Sequence, residues 1–392
     1  MAQELAFVLL NPYTLSKSRT GGVVGRLISR TGLNLVAARL FGPSAELAEQ
    51  YAALVEQDER ADGRTECVLA DYVRRRYGPD ARSGRRRRVL LLLFEGENAV
   101  ASLYQAVGPL HHNFGSARTV RDVYGDYVLD DEGRLQYLEP GVLSAPDRES
   151  TARALQLWGA YSPADGGVLD TAWDVDGSEA CEQTLVLIKP DNFYFPSARP
   201  GSILDSFSGS GLRIIGAKIH RMSIAEAEEF YGPVREVLQR KLRDRVLDLA
   251  ADALERDLEM PLASPVREAV ADLLAPLYGD HQFYQIIRFM TGRWLPDCSA
   301  VDRAAPGLER CLALIYAGPN AVEIIRNILG PTDPSKALPG SVRKEFGRDV
   351  MVNAAHASDS PENARREIGI IRVGEDTLPS WIDKHYPHKK KE

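Results

Sequence analysis

The residues best equipped for chemistry gather around His356. This histidine closes the apolar run Val350-Met351-Val352-Asn353-Ala354-Ala355 and is followed at once by Ala357-Ser358-Asp359-Ser360. Taken alone, a histidine at the end of a strand-like run is usually a half-buried imidazole with one hydrogen bond. Its company in the chain favours chemistry instead. Lys189-Pro190-Asp191 closes another apolar run, and Arg326, Thr332 and Arg343 precede the histidine on a loop rich in proline and glycine. One potential nucleophile with several cations and hydroxyls is equipment for handling phosphate. A packed core has no need of it.

The elements that must position these residues occur twice. Leu5-Ala6-Phe7-Val8-Leu9-Leu10 reads as a buried strand, followed by Asn11-Pro12-Tyr13, a glycine-opened helix over 22–31 and a return strand over 33–40. Leu185-Val186-Leu187-Ile188 leads into Lys189-Pro190-Asp191 in the same way, with a helix over 203–207 and a strand from Leu212 to Ile219. Phe94-Glu95-Gly96-Glu97-Asn98-Ala99-Val100 matches Tyr316-Ala317-Gly318-Pro319-Asn320-Ala321-Val322, and Thr119-Val120-Arg121 matches Ser341-Val342-Arg343. Matches that keep their order argue for two copies of one domain, over 1–162 and 180–375, with a tail over 376–392. The linker falls near Ser162-Pro163-Ala164-Asp165-Gly166-Gly167.

Each copy reads strand, helix, strand, insert, strand, helix, proline-rich loop, strand, helix. That order predicts an α/β fold, an α+β sandwich of ferredoxin-like type with an antiparallel four-stranded sheet in each copy. The second copy carries two insertions, at about 233–280 and 294–307. The first holds two amphipathic helices, 233–258 and 266–278, and the second reads as an irregular loop.

At 392 residues the chain has room for two or three cores, and 44% hydrophobic with 26% charged residues is ordinary for a globular protein. The net charge of −7 argues against a general nucleic-acid binder. The arginine runs 74–76 and 85–88 and the lysine run 389–391 are local, and read as solvated loops and a tail. Four scattered cysteines form no CxxC pair, so neither a disulfide framework nor a zinc site is expected. No basic region precedes the first apolar run and no run approaches the ~18 residues of a membrane span, which predicts a cytoplasmic protein away from membranes.

The ordered set Lys189-Pro190-Asp191, Gly318-Pro319-Asn320, Arg326, Gly330-Pro331-Thr332-Asp333-Pro334, Pro339-Gly340-Ser341-Val342-Arg343 and Asn353 through Ser360 resembles nucleoside diphosphate kinase. The resemblance covers most of 181–373 outside the insertions, and extends weakly over 5–160. It implies two tandem domains of that family and a transferase that moves the γ-phosphoryl of a nucleoside triphosphate to a nucleoside diphosphate through a phosphohistidine. His356 would be the nucleophile, with Glu367 bonding its other ring nitrogen and Ser358 beside it. Lys189, Arg326 and Arg343 would supply fixed positive charge and Thr332 a hydroxyl donor. Tyr231 and Asn353 would complete nucleotide binding, Asn353 through the ribose 3′-hydroxyl. Mg2+ would bridge the phosphates through substrate and water oxygens, so no metal motif is expected. ATP and nucleoside diphosphates are the implied partners, in a homo-oligomer.

The sequence departs from that pattern in two ways. Gln282 stands where the family stacks a phenylalanine on the base, with Phe283 next to it, and the insertion at 233–280 falls where the family has a short lid. In the first copy Asn11 replaces Lys189, Tyr104 replaces Arg326, Leu110 replaces Thr332 and Leu143 replaces His356, while Tyr51 and Arg121 remain. Leucine cannot carry phosphate, so this copy should be inert. The rival reading is a weakly catalytic nucleotide-binding scaffold that acts through its insertions or the 85–88 loop.

Overall fold

The computed structural model describes residues 3–63, 67–110, 118–170 and 181–387. The lysine run 389–391 lies outside them. The chain divides into two compact units: Met1–His220 with Leu312–Glu392, and Arg221–Cys311.

Among the described residues the strands are β1 (Gln3–Leu10), β2 (Asn34–Phe41), β3 (Val89–Glu97), β4 (Asp126–Leu129), β5 (Leu135–Glu139), β6 (Val142–Leu143), β7 (Glu182–Ile188), β8 (Arg213–His220), β9 (Cys311–Gly318) and β10 (Ala355–Ala357). They build two four-stranded sheets, ordered β2-β3-β1-β6 and β8-β9-β7-β10, plus the hairpin β4-β5. β1 pairs antiparallel with β3 and β6, and β7 pairs antiparallel with β9 and β10. In both sheets the strand that is first in sequence lies inside, so both its edges are hydrogen-bonded. Its residues are accordingly apolar on both faces. From β1, Ala6, Val8 and Leu10 enter one core, and Leu5, Phe7 and Leu9 enter another.

The first of these cores is shared, because Val186 and Ile188 of β7 belong to it. Helices Thr20–Thr31 and Arg199–Ser206 meet there through glycines. A Cβ on Gly201 would fall under 3.0 Å from the backbone of Gly25 and the carbonyl of Gly21. Only glycine allows that approach, since helix backbones cannot yield as a side chain tip does. The edges are also stitched: Gly167 N donates to Leu40 O of β2 at 2.9 Å, and Leu169 N to Ile215 O of β8 at 2.8 Å.

The second core is closed by Trp158, whose ring meets Phe41 at 4.9 Å and Tyr51 at 5.4 Å. Residues 376–392, expected as a tail, include the helix Leu378–His385. Its Leu378 and Ile382 are buried in this core, and Tyr386 OH donates to Leu5 O at 2.6 Å. Three apolar side chains at helical spacing gain more by burial than a tail gains by freedom.

In the unit Arg221–Cys311 the expected helix over 233–258 is two, Ile224–Lys241 and Arg243–Leu258. The helix expected over 266–278 runs from Ser264 to Thr291, passing through Pro276 and stopping at the left-handed Gly292. Gly279 lets it approach Gln239 closely, and Arg235 grips Asp280 through two bonds of 2.7 and 2.9 Å. Residues 294–307, expected to be irregular, contain the short helix Ala300–Ala304, started by the capping box of Ser299 and Asp302. No helix among the described residues is long and apolar enough to cross a membrane.

Candidate active site

The site is built where the inner strand of the second sheet ends. β10 is only three residues long, with His356 in its middle opposite Leu187; the expected strand over 350–355 does not form. Two local features prevent it. The Asp349 carboxylate accepts from the N–H of Met351 and Val352 at 2.9 and 2.8 Å, and Ala354 sits at φ 71 in the left-handed region. The coil over 349–354 thereby lies against the end of β7, where Lys189 N donates to Ala354 O at 3.0 Å.

His356 Nε2 lies 2.9 Å from Glu367 Oε2, and Ser358 Oγ donates to the same oxygen at 2.6 Å. Glu367 comes from the helix Pro361–Ile371, which starts on the Ser360 side-chain cap. Glu367 and Ser358 are buried and the histidine is half-buried. A carboxylate at that distance can accept a proton from Nε2 and orient the ring.

Around it stand the cations. Lys189 is buried and donates from Nζ to Asn353 Oδ1 at 2.6 Å and to Met351 O at 3.1 Å. Burial first, then the Arg343 charge, brings its ammonium down to about 7. Arg343 bridges Gly330 O at 2.9 Å and Ala355 O at 3.2 Å, tying the loop before it to β10. Burial and the nearby Arg326 lower it to about 10, and its buried Nε has no hydrogen-bond partner among the described residues. Arg326, on the helix Ala321–Leu329, is exposed, as is Thr332. Burial raises Asp191 to about 6, although Arg199 approaches it to 3.6 Å.

Asn353 has a structural task that sequence reasoning missed. Its Oδ1 holds Lys189, and its Nδ2 donates to Val350 O at 2.9 Å and Thr332 O at 3.1 Å. The amide therefore joins Lys189, the Thr332 loop and the coil before His356. Tyr231 and Gln282 belong to the unit Arg221–Cys311, whereas the other expected residues belong to the unit of the two sheets. In their own unit Tyr231 is buried beside Phe230, Gln282 is half-buried, and Phe283 is buried with Arg235 over its ring at 5.5 Å. Among the described residues no group of three His, Cys, Asp or Glu side chains could hold a metal ion.

The first sheet repeats several backbone bonds of the second with different side chains. Leu143 opposes Leu9 as His356 opposes Leu187, and Asn11 N donates to Gly141 O as Lys189 N does to Ala354 O. Arg121 bonds Gly108 O at 2.7 Å and Val142 O at 3.3 Å, repeating the bonds of Arg343. Asn98 and Asn320, both at positive φ, open the helices Ala99–Val107 and Ala321–Leu329. In place of the cation, Asn11 bonds the buried Glu139 at 3.1 Å and Tyr77 at 2.6 Å, and Tyr72 also donates to Glu139. Tyr104, Leu110 and Leu143 line one cavity of about 380 Å3 together with Asp58, Glu59 and Asp62. Glu139 arrives on the β4-β5 hairpin, which the sequence patterning did not reveal.

Comparison with known proteins gives one family. The family model for nucleoside diphosphate kinase matches residues 301–375, the stretch holding Arg326, Arg343, His356 and Glu367. A nucleoside diphosphate kinase of Bdellovibrio bacteriovorus is 32% identical over 190 residues, covering 48% of this chain and 92% of that protein. One from Staphylothermus marinus is 28% identical over 200 residues, covering 51% and 98%. A crystal structure of the Aquifex aeolicus nucleoside diphosphate kinase aligns at 27% identity over 51% of this chain and 98% of that one, with a TM-score of 0.31. By its identity to relatives that it covers almost end to end, the chain belongs to the nucleoside diphosphate kinase family.

Proposed function

We propose that this chain transfers the γ-phosphoryl group of a nucleoside triphosphate to a nucleoside diphosphate, with one live site per chain and His356 as the carrier. The two sheets are read as two copies of one ferredoxin-like fold, over 1–162 and 180–375, the first inert. The observation that carries the reading is the line Ser358–Glu367–His356, with bonds of 2.6 and 2.9 Å. In the first step Nδ1 attacks the γ-phosphorus, the bond to the bridging oxygen breaks, and the diphosphate leaves with the electron pair. Glu367 balances the charge that grows on the ring. In the second step a terminal oxygen of a new diphosphate attacks the same phosphorus and the N–P bond breaks, returning the pair to the ring. Lys189, Arg326 and Arg343 neutralise phosphate charge, and Thr332 donates a hydroxyl hydrogen. A magnesium ion bound with the nucleotide would add to the neutralisation of phosphate charge by Lys189, Arg326 and Arg343.

A coupled assay with ATP and a nucleoside diphosphate tests the reading. Turnover in the usual range of about 1 to 1,000 per second is expected. Absence of turnover with every common nucleoside diphosphate would leave only a nucleotide-binding scaffold.

The lowered Lys189 makes a further expectation. Phosphate bound beside it favours the ammonium form, so binding should take up a fraction of a proton near pH 7. The sign follows directly. Lys189 sits at about 7 before binding and higher after it, so affinity should fall as pH rises above about 7. Calorimetry of ADP binding in two buffers of different ionisation enthalpy measures the uptake, and Lys189→Met should abolish it. Equal heats in both buffers from pH 6 to 9 would sink the assignment.

A further inference from the structure

The residues that follow Lys189-Pro190-Asp191 have no part in the chemistry so far, yet Asn192 is buried and both ends of its amide are engaged. Its Nδ2 donates to Lys189 O at 3.0 Å and to Ala354 O at 2.8 Å, joining the end of β7 to the coil that leads into His356. Its Oδ1 accepts from Arg199 Nε at 2.6 Å. Arg199 also donates to the carbonyl of Phe346, lies 5.7 Å from the centre of that ring, and approaches Asp191 to 3.6 Å. Phe346 ends the short helix Val342–Phe346, which carries Arg343.

These bonds close around the two residues before the histidine. Ala354 O is held by Asn192 Nδ2 and by Lys189 N, and Ala355 O by Arg343. An alanine keeps the left-handed conformation of Ala354, φ 71, only where its surroundings over-determine it, and the Asn192 amide supplies one of those bonds. Arg199 is itself fixed from behind. It opens the helix Arg199–Ser206, and a Cβ on Gly25 of the helix Thr20–Thr31 would fall 2.9 Å from the carbonyl of Ala198, the residue before it. A guanidinium at a helix C-terminus can serve stability alone, by satisfying the last carbonyls. This one also grips the amide that holds Ala354 O, which a five-residue helix does not require.

We propose that Asn192 and Arg199 are positioning residues, a clamp that keeps the segments of Lys189, Arg343 and His356 in one register for phosphoryl transfer. This rests on the reading of His356 as the phosphoryl carrier. Attack needs the reacting atoms at about 3–3.5 Å, and a misplacement of about 1 Å costs on the order of 100-fold in rate. Ground-state binding tolerates such a shift, because long cationic side chains re-aim at phosphate. The clamp therefore acts on rate more than on affinity.

Arg199→Ala and Asn192→Ala test this, each measured well below its melting temperature. The first-order rate of phosphohistidine formation from ATP should fall about 10- to 100-fold in both. Affinity for ADP should change less than about threefold. Methylguanidine should restore part of the rate to Arg199→Ala, since that half-buried side chain leaves an opening for a small cation, and none to Asn192→Ala. An unchanged labelling rate in both variants would overturn the proposal. So would a rate loss matched by an equal loss of ADP affinity, because the pair would then act through nucleotide binding. Amide hydrogen exchange of the free protein separates the clamp from the chemistry. The Lys189 N–H, bonded to Ala354 O, should exchange about tenfold faster or more in both variants, with the amides of β1 unchanged. Unchanged exchange at Lys189 would defeat the clamp whatever the labelling shows. Absence of label in wild type, with exchange accelerated in the variants, would defeat the phosphohistidine reading and leave the clamp standing.

Discussion

His356→Ala should lose turnover by roughly four orders of magnitude or more, together with all acid-labile phosphoryl label after incubation with ATP. The size follows from the absence of a substitute. Leu143 occupies the equivalent position of the first sheet and cannot carry phosphate. The histidine is half-buried and its partner Glu367 is buried, so its removal should cost about 1–3 kcal/mol. Ser358 still holds Glu367 in the variant. Rapid-quench labelling and steady-state turnover on the same folded protein make the check. Residual label on another histidine, with turnover to match, would end the single-site reading.

The second large effect separates charge from architecture. Arg343→Ala and Arg121→Ala each remove a guanidinium that bridges a glycine carbonyl and a strand carbonyl, Gly330 and Ala355 in one case, Gly108 and Val142 in the other. Both should destabilise by about 1–3 kcal/mol, Arg121→Ala by the more, because its carbonyl bonds are buried and those of Arg343 only partly so. Only Arg343→Ala should also cut turnover, by about two to three orders of magnitude, through lost charge at the transferring phosphoryl group. Denaturant midpoints and kcat on the two proteins decide it. If Arg121→Ala lowered kcat as far as Arg343→Ala did, the first sheet would have a part in the chemistry. If Arg343→Ala kept full turnover, its role would be structural alone.

Both comparisons depend on a site whose parts are legible to different depths. The order of Lys189, Arg326, Thr332, Arg343, His356 and Glu367 was readable, because residue types and their spacing are written in the chain itself. So were the inner strands, since a strand hydrogen-bonded on both edges and covered on both faces shows as an unbroken apolar run. The residues that differ in the first sheet were readable for the same reason, as Leu143 and Asn11 stand in the chain where the second sheet has His356 and Lys189.

Tertiary structure decided what depends on contacts between distant segments. Asn353 is committed to Lys189, Val350 and Thr332, which no local pattern announces, because an asparagine's partners are set by what folds against it. The short β10 follows from a turn made by Asp349 and a left-handed Ala354, which outweigh the strand propensity of Val350 and Val352. The helix Leu378–His385 became visible only when its three apolar residues met the core around Trp158. The arginines 85–88 look like any solvated run until β8 brings Arg213 beside Arg88. Sequence determined which residues could do chemistry; three-dimensional packing decided which charges have partners, because electrostatic neighbours are chosen by distance in space and not by position along the chain.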